Sequence, residues 1–173
     1  MTRLCFDYGH GGKDPGAIYK NRYESHDNLD IGTKVAQILR GNGIMVDETR
    51  TKDITLSLWQ RIRFENAKDY DYFISFHRNA FKPETARGVE TYIYLTKNKK
   101  ALTLAKKIQK NLSNVGFINR GVRLGNYYVL RNTKAPALLI ELGFIDNTLD
   151  NKLFDEKKDE IANSIARSII EVV

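Results

Sequence analysis

The chain has 173 residues, a length that suits one compact domain. Its 28 Lys and Arg against 21 Asp and Glu leave a formal charge of +7, and 42 % of its residues are apolar, enough to bury a core. The single cysteine excludes an intramolecular disulfide and a cysteine-rich zinc finger, and only His10, His26 and His77 are present for any chemistry that needs imidazole.

Leu4 to Asp7 predicts a short buried strand running into the glycine-rich Gly9–Gly12, with Cys5 as a buried structural thiol. Leu29, Ile31, Val35, Ile38 and Leu39 follow helical spacing until Gly41–Asn42–Gly43 breaks it, and Ile44 to Thr49 is strand-like. Leu56 to Ala67 predicts a helix, and the β-branched and aromatic run Tyr72 to Phe76 a buried strand. Val89 to Leu95 alternates like a strand with two distinct faces, and a long helix spans roughly Lys99 to Asn114. Gly116 to Asn126 has no core pattern of its own, and Asn126 to Leu130 predicts a short strand. Ala137 to Leu142, entered after Pro136, is another buried strand, and Glu156 to Val172 a closing helix with Ile161, Ile165, Ile169 and Val172 near one face. Strands alternating with helices predict one α/β domain over residues 1–173 around a mainly parallel sheet.

The first residues lack the apolar core of a secretory signal, and no run approaches the ~20 residues that span a bilayer, so the expectation is a chain made in the cytoplasm. The positive balance suits a polyanion: nucleic acid, an anionic membrane surface or a cell-wall polymer. Lys97, Lys99, Lys100, Lys106, Lys107 and Lys110 lie in a helical pattern beside Leu102, Ala105, Ile108 and Leu112, which reads as a solvated face, so neither nucleic acid nor membrane is expected as a partner.

Open α/β sheets build their sites beyond the carboxyl ends of the strands. His10 follows the first strand, His77 closes the Tyr72–Phe76 strand, Glu141 lies near the end of the Ala137–Leu142 strand, and Glu24 sits in the polar connection before the first helix. Two histidines and a carboxylate are a recognised ligand set for catalytic zinc, with one position left for water, and a further carboxylate can then carry a proton to a leaving group. Glu141 is the strongest candidate for that carboxylate, because a Glu within Ala-Leu-Leu-Ile-Glu-Leu-Gly-Phe is costly to bury unless it is used or paired. Each residue also has a structural alternative: Glu141 paired with Arg50 or Arg61, Glu24 as a solvated acid at a helix start, His10 as a loop residue and His77 as a strand-end residue. His26, two positions from Glu24, is a rival ligand that is more simply explained as a solvent-facing side chain.

These residues resemble a known family. Asp7-Tyr8-Gly9-His10-Gly11-Gly12-Lys13-Asp14-Pro15-Gly16-Ala17 looks like the N-terminal signature of the zinc-dependent N-acetylmuramoyl-L-alanine amidases of the amidase-3 type. So do Glu24 with Asn28-Leu29, Thr49-Arg50 with Leu58 and Arg61, and Ser75-Phe76-His77-Arg78-Asn79. Arg120-Gly121, Val129-Leu130-Arg131, the run Pro136 to Asn147 and Asp150 continue the match in order. The resemblance implies a twisted, mostly parallel six-stranded sheet flanked by helices, with Zn2+ held by His10, Glu24 and His77 and Glu141 as the catalytic carboxylate. It implies bacterial peptidoglycan as substrate, cut between N-acetylmuramic acid and L-alanine, by a monomer working with or fused to a separate wall-binding domain. An enzyme of this type with no export signal fits a phage endolysin, or a sporulation hydrolase freed when the mother cell breaks open. The other readings are a zinc hydrolase of another amide (a deacetylase or peptidase) and a non-catalytic wall-binding module of the same fold.

Two positions depart from the family pattern. Tyr8 stands where proline is usual, and Arg78 where a small or apolar residue is usual. Arg78 has two readings, a charge beside the metal that binds a substrate carboxylate or a side chain reaching solvent. Asn79 either orients a ligand or substrate or acts as a structural cap.

Overall fold

The computed structural model describes residues 2–95 and 98–173; Lys97 of the basic run lies outside them. One sheet of six strands organises the chain: β1 (Arg3–Tyr8), β4 (Met45–Glu48), β5 (Tyr72–Asn79), β6 (Val89–Ile93), β7 (Asn119–Leu124) and β8 (Ala137–Phe144). A two-stranded hairpin, β2 (Ile18–Tyr19) and β3 (Arg22–Tyr23), precedes the first helix. The helices are α1 (Glu24–Gly41), α2 (Leu58–Asn66), α3 (Lys99–Val115), α4 (Tyr128–Asn132), α5 (Thr148–Glu156) and α6 (Lys158–Ile170). Strand order is β4-β1-β5-β8-β6-β7, and every neighbouring pair is parallel except β8 and β6. The α/β class and the mostly parallel six-stranded sheet are as the sequence and its resemblance imply.

Side chains of a strand alternate between the two faces of its sheet, so each face of this one has its own core. Leu4, Phe6, Tyr8, Ile74, Phe76, Leu138 and Ile140 point to the larger core, against the apolar stripes of α1, α3 and α6. Cys5, Phe73, Ala137 and Leu139 point the other way, to a smaller core closed by Ile62 of α2 and Val129 and Leu130 of α4. Cys5 is buried as expected, and burial pushes its thiol well above the ordinary range. Tyr8, in the usual proline position, fills a gap over α1: a Cβ on Gly32 would lie 2.0 Å from the Tyr8 ring, whose hydroxyl donates to Glu48 Oε1 at 2.7 Å.

One expected element needs correction, and the structure adds elements to two other stretches. The stretch after Gly116 contains β7, an edge strand that buries little and packs Val122 on the larger core. Asn126 to Leu130 is not a strand: Tyr128 to Asn132 form one helical turn whose Val129 and Leu130 cap the smaller core. The closing helix is α6, close to its expected bounds, and a further helix, α5, precedes it, with Asn147 capping α5 and Lys157 (φ −116°, ψ 24°) breaking the ladder between the two. Among the described residues no helix is long and apolar enough to cross a membrane.

Candidate active site

The loop after β1 is shaped by backbone conformation and by two buried arginines. His10 has φ 62°, a left-handed conformation that costs a non-glycine residue about 1–2 kcal/mol and must be held from outside. Arg61 donates to the carbonyls of Tyr8 at 2.7 Å and His10 at 2.9 Å, and Arg50 to those of Tyr8, Gly9 and Ser25 at 2.9, 3.1 and 2.8 Å. Arg61 also pairs with Asp7 at 2.8 Å, a buried carboxylate that accepts from Thr49 and Ser75 as well. Neither arginine is the partner of Glu141; both serve the loop.

Glu24 is the first residue of α1 rather than part of the connection before it, where the helix dipole favours a carboxylate. Its Oε2 accepts from the amide of Ala17 at 2.9 Å and lies 3.2 Å from His10 Nε2. Its Oε1 accepts from the amide of Arg78 at 3.2 Å and lies 2.8 Å from His77 Nδ1. The two imidazoles meet edge to face with centroids 5.2 Å apart, and one ligand atom from each of His10, Glu24 and His77 falls within 4.8 Å of the others. Glycine is required beside this group. A Cβ at Gly9 would lie 2.1 Å from His77 Cε1, and one at Gly16 (φ +67°) 2.6 Å from both Glu24 Oε2 and His10 Cδ2.

The donor set fits a divalent cation. Burial works against charge on all three groups, yet Glu24 pulls His10 up to about 9 and raises His77, while the two rings hold Glu24 well below the usual carboxylate range. The pocket therefore favours positive charge between the three side chains. Asp14 was not singled out from the sequence, although it stands four residues after His10. Its Oδ2 lies 2.8 Å from His10 Nδ1, so that nitrogen is the natural N–H and Nε2 keeps its lone pair for a metal. His26 is not in the group; it is largely exposed and lies 3.6 Å from Asp53.

Glu141 is level with His77 in the parallel pairing of β8 with β5, so both side chains leave the same face of the sheet. It lines the same cleft of about 580 Å³ as His10, Glu24 and His77, with Leu58, Tyr127 and Tyr128 on the walls. Its Oε2 is buried with no hydrogen-bond partner among the described residues, and burial pushes its carboxyl up to about 7. An acid tuned near neutrality in a cleft can both take and give a proton. Arg78, one residue past His77, points to the opposite face. Its guanidinium lies over the Phe154 ring, 4.3 Å from the centroid, and bonds Asp27 and Asn151, so it neither borders the metal group nor reaches solvent. Asn79 donates to Glu90 at 3.2 Å and accepts from the amide of Ala80, which makes it a link between strands.

The chain is 35 % identical over 168 residues to the N-acetylmuramoyl-L-alanine amidase LytC of Bacillus subtilis (strain 168), which covers 94 % of this chain and 34 % of LytC. It is 36 % identical over 170 residues to the N-acetylmuramoyl-L-alanine amidase CwlM of Bacillus licheniformis, covering 96 % of this chain and 65 % of CwlM. The chain thus spans less than two thirds of the length of either relative. The solved catalytic domain of CwlV, an N-acetylmuramoyl-L-alanine amidase from Bacillus (Paenibacillus) polymyxa var. colistinus, superposes with a TM-score of 0.91 at 33 % identity over 100 % of both chains. Residues 4–171 match the amidase-3 family, so this chain belongs to the N-acetylmuramoyl-L-alanine amidases.

Proposed function

We propose that the chain hydrolyses the amide between the lactyl group of N-acetylmuramic acid and the L-alanine of the stem peptide in bacterial peptidoglycan. The observation that carries this reading is the convergence of His10, Glu24 and His77 beside the unpartnered Glu141 oxygen, in a chain of this family. His10 Nε2, His77 Nδ1 and a Glu24 oxygen would hold a zinc ion, with Glu141 as the acid–base. When bound, zinc polarises the scissile carbonyl and makes water acidic near neutral pH.

Glu141 takes a proton from the attacking water on a carboxylate oxygen and returns it to the nitrogen of the departing L-alanine. Asp14 keeps His10 in the tautomer that offers Nε2. The cleft walls at Leu58, Tyr127 and Tyr128 orient the substrate and exclude bulk water. Residues 1–173 act as one monomeric catalytic domain, and wall affinity is supplied by a separate domain, for which the greater length of LytC and CwlM leaves room. The charge of +7 adds a salt-sensitive attraction to an anionic wall.

The test is incubation of the zinc-loaded protein with purified cell walls. New L-alanine amino termini are expected. Release of acetate instead would turn the reading to a deacetylase, and wall binding without any cleavage would turn it to a non-catalytic module.

A further inference from the structure

The cleft does not end at Glu141. Beyond it, on the side away from the metal group, a groove of about 880 Å³ runs over β6 and β7, and Ala80 lines both. Its charged lining consists of three arginines, Arg87, Arg120 and Arg123, and one carboxylate, Glu90.

Glu90 is level with Glu141 in the antiparallel pairing of β6 with β8, so His77, Glu141 and Glu90 form a row across three strands on one face. Glu90 is buried and accepts from Asn79, from the Tyr92 hydroxyl at 2.7 Å and from Arg120 Nε at 2.6 Å. Arg120 is thereby fixed at its Nε, with its guanidinium carbon 5.0 Å from the Phe144 ring centroid. Arg123 comes no closer than 4.0 Å to Glu90 and is half exposed. Glu90 thus fixes one guanidinium group and has a second beside it that it does not bond, so the donors of the pair are not saturated and stay open to a second carboxylate.

We infer that Arg120 and Arg123 form a subsite for a carboxylate on the stem peptide, on the leaving-group side of the scissile amide. The inference rests on the amidase reading for the identity of the peptide. Two features assign the groove to the peptide rather than the glycan. Glu141 hands its proton to the leaving nitrogen, so the peptide departs past Glu141 toward Glu90. The acyl half of the bond is uncharged once the lactyl group is amidated, whereas the peptide half carries free carboxylates. Two strand spacings separate His77 from Glu90, roughly 10 Å, which an extended peptide covers in about three residues. The carboxylate recognised is therefore that of the second or third residue of the stem.

The test is calorimetric titration of the zinc-loaded protein with the peptide product L-alanyl-γ-D-glutamyl-L-lysine and with the same peptide amidated at its carboxyl groups. The free acid is expected to bind the wild type at least tenfold more tightly than the amide. Arg123→Gln and Arg120→Gln are expected to remove that preference, while Lys106→Gln, on the distant α3, leaves it intact. Should Arg120→Gln fail to fold, the exposed Arg123 alone decides. Equal affinity for acid and amide, an unchanged preference in Arg123→Gln, or an equal loss in Lys106→Gln would overturn the subsite. Because the titration needs no turnover, the absence of wall cleavage would sink the amidase reading without touching this result.

Discussion

Asp14 Oδ2 and His10 Nδ1 lie 2.8 Å apart, which directs the other ring nitrogen of His10 at Glu24. An outer carboxylate of this kind is typically worth 10–100-fold in metal affinity. Asp14→Ala should weaken zinc binding by about that factor, measured by competition with a chromophoric chelator. Asp14→Asn keeps an acceptor for the Nδ1–H and should lose less. Equal losses would show that charge, not tautomer, is what Asp14 supplies.

Glu141→Gln should retain zinc, by elemental analysis, and lose wall hydrolysis by at least the 10²–10⁴-fold expected of a lost general acid–base. An active variant would remove Glu141 from the mechanism.

The same substitution reports on stability in the metal-free protein. Burial raises Glu141 from an ordinary 4.5 to about 7, so the folded state holds this proton more tightly than the unfolded chain. The residue therefore costs nothing well below the ordinary value. Its cost grows as pH rises toward 7 and levels off above it, at about 3–3.5 kcal/mol. In urea unfolding, metal-free Glu141→Gln should exceed the wild type in stability at pH 8 and match it near pH 4. A gap independent of pH would contradict the raised value.

Gly9→Ala places a methyl group where the His77 ring stands. The ring must move, with a strain of about 1–3 kcal/mol. The variant should melt modestly earlier than the wild type and bind zinc at least tenfold more weakly. Wild-type affinity for zinc would mean that His77 is not a ligand in this rotamer.

Arg78→Ala should destabilise the protein by about 2–3 kcal/mol, because it leaves a void over Phe154 and removes one of the two guanidinium partners of Asp27, Arg22 keeping the other contact. Its folded fraction should still bind zinc as the wild type does, since only the Arg78 backbone amide touches Glu24. Arg78→Met, which keeps contact with Phe154, should recover part of the loss.

The placement of Arg78 was within reach of the sequence, because adjacent residues of a strand face opposite sides and His77 already claims the site side. What the sequence conveyed well were buried elements. The runs around Phe6, Ile74 and Ile140 need apolar neighbours on both faces, and α3 carries a clean apolar stripe. Less legible were elements whose residues answer to the fold rather than to a period. β7 is an edge strand with a register shift beside its glycine, and the aromatic and β-branched Tyr128 and Val129 resemble a strand but close a helical turn. Nothing local marks Glu90, and Asp14, although it belongs to the His10 signature and stands four residues after that histidine, carries no local sign of its role. Glu90 matters through its level beside Glu141, and Asp14 through a left-handed turn at His10.

The strand order has a consequence for when the molecule acquires its chemistry. β8 is the last strand in the chain, yet it lies inside the sheet, wedged between β5 and β6. Residues up to 79 contain the whole His10–Glu24–His77 set, whereas Glu141 joins it only when β8 inserts. A chain that stops before Ala137 carries the three side chains in its sequence but lacks both β8, which pairs with β5, and the carboxylate level with His77. Insertion of β8 thus completes the sheet and the candidate site in a single step.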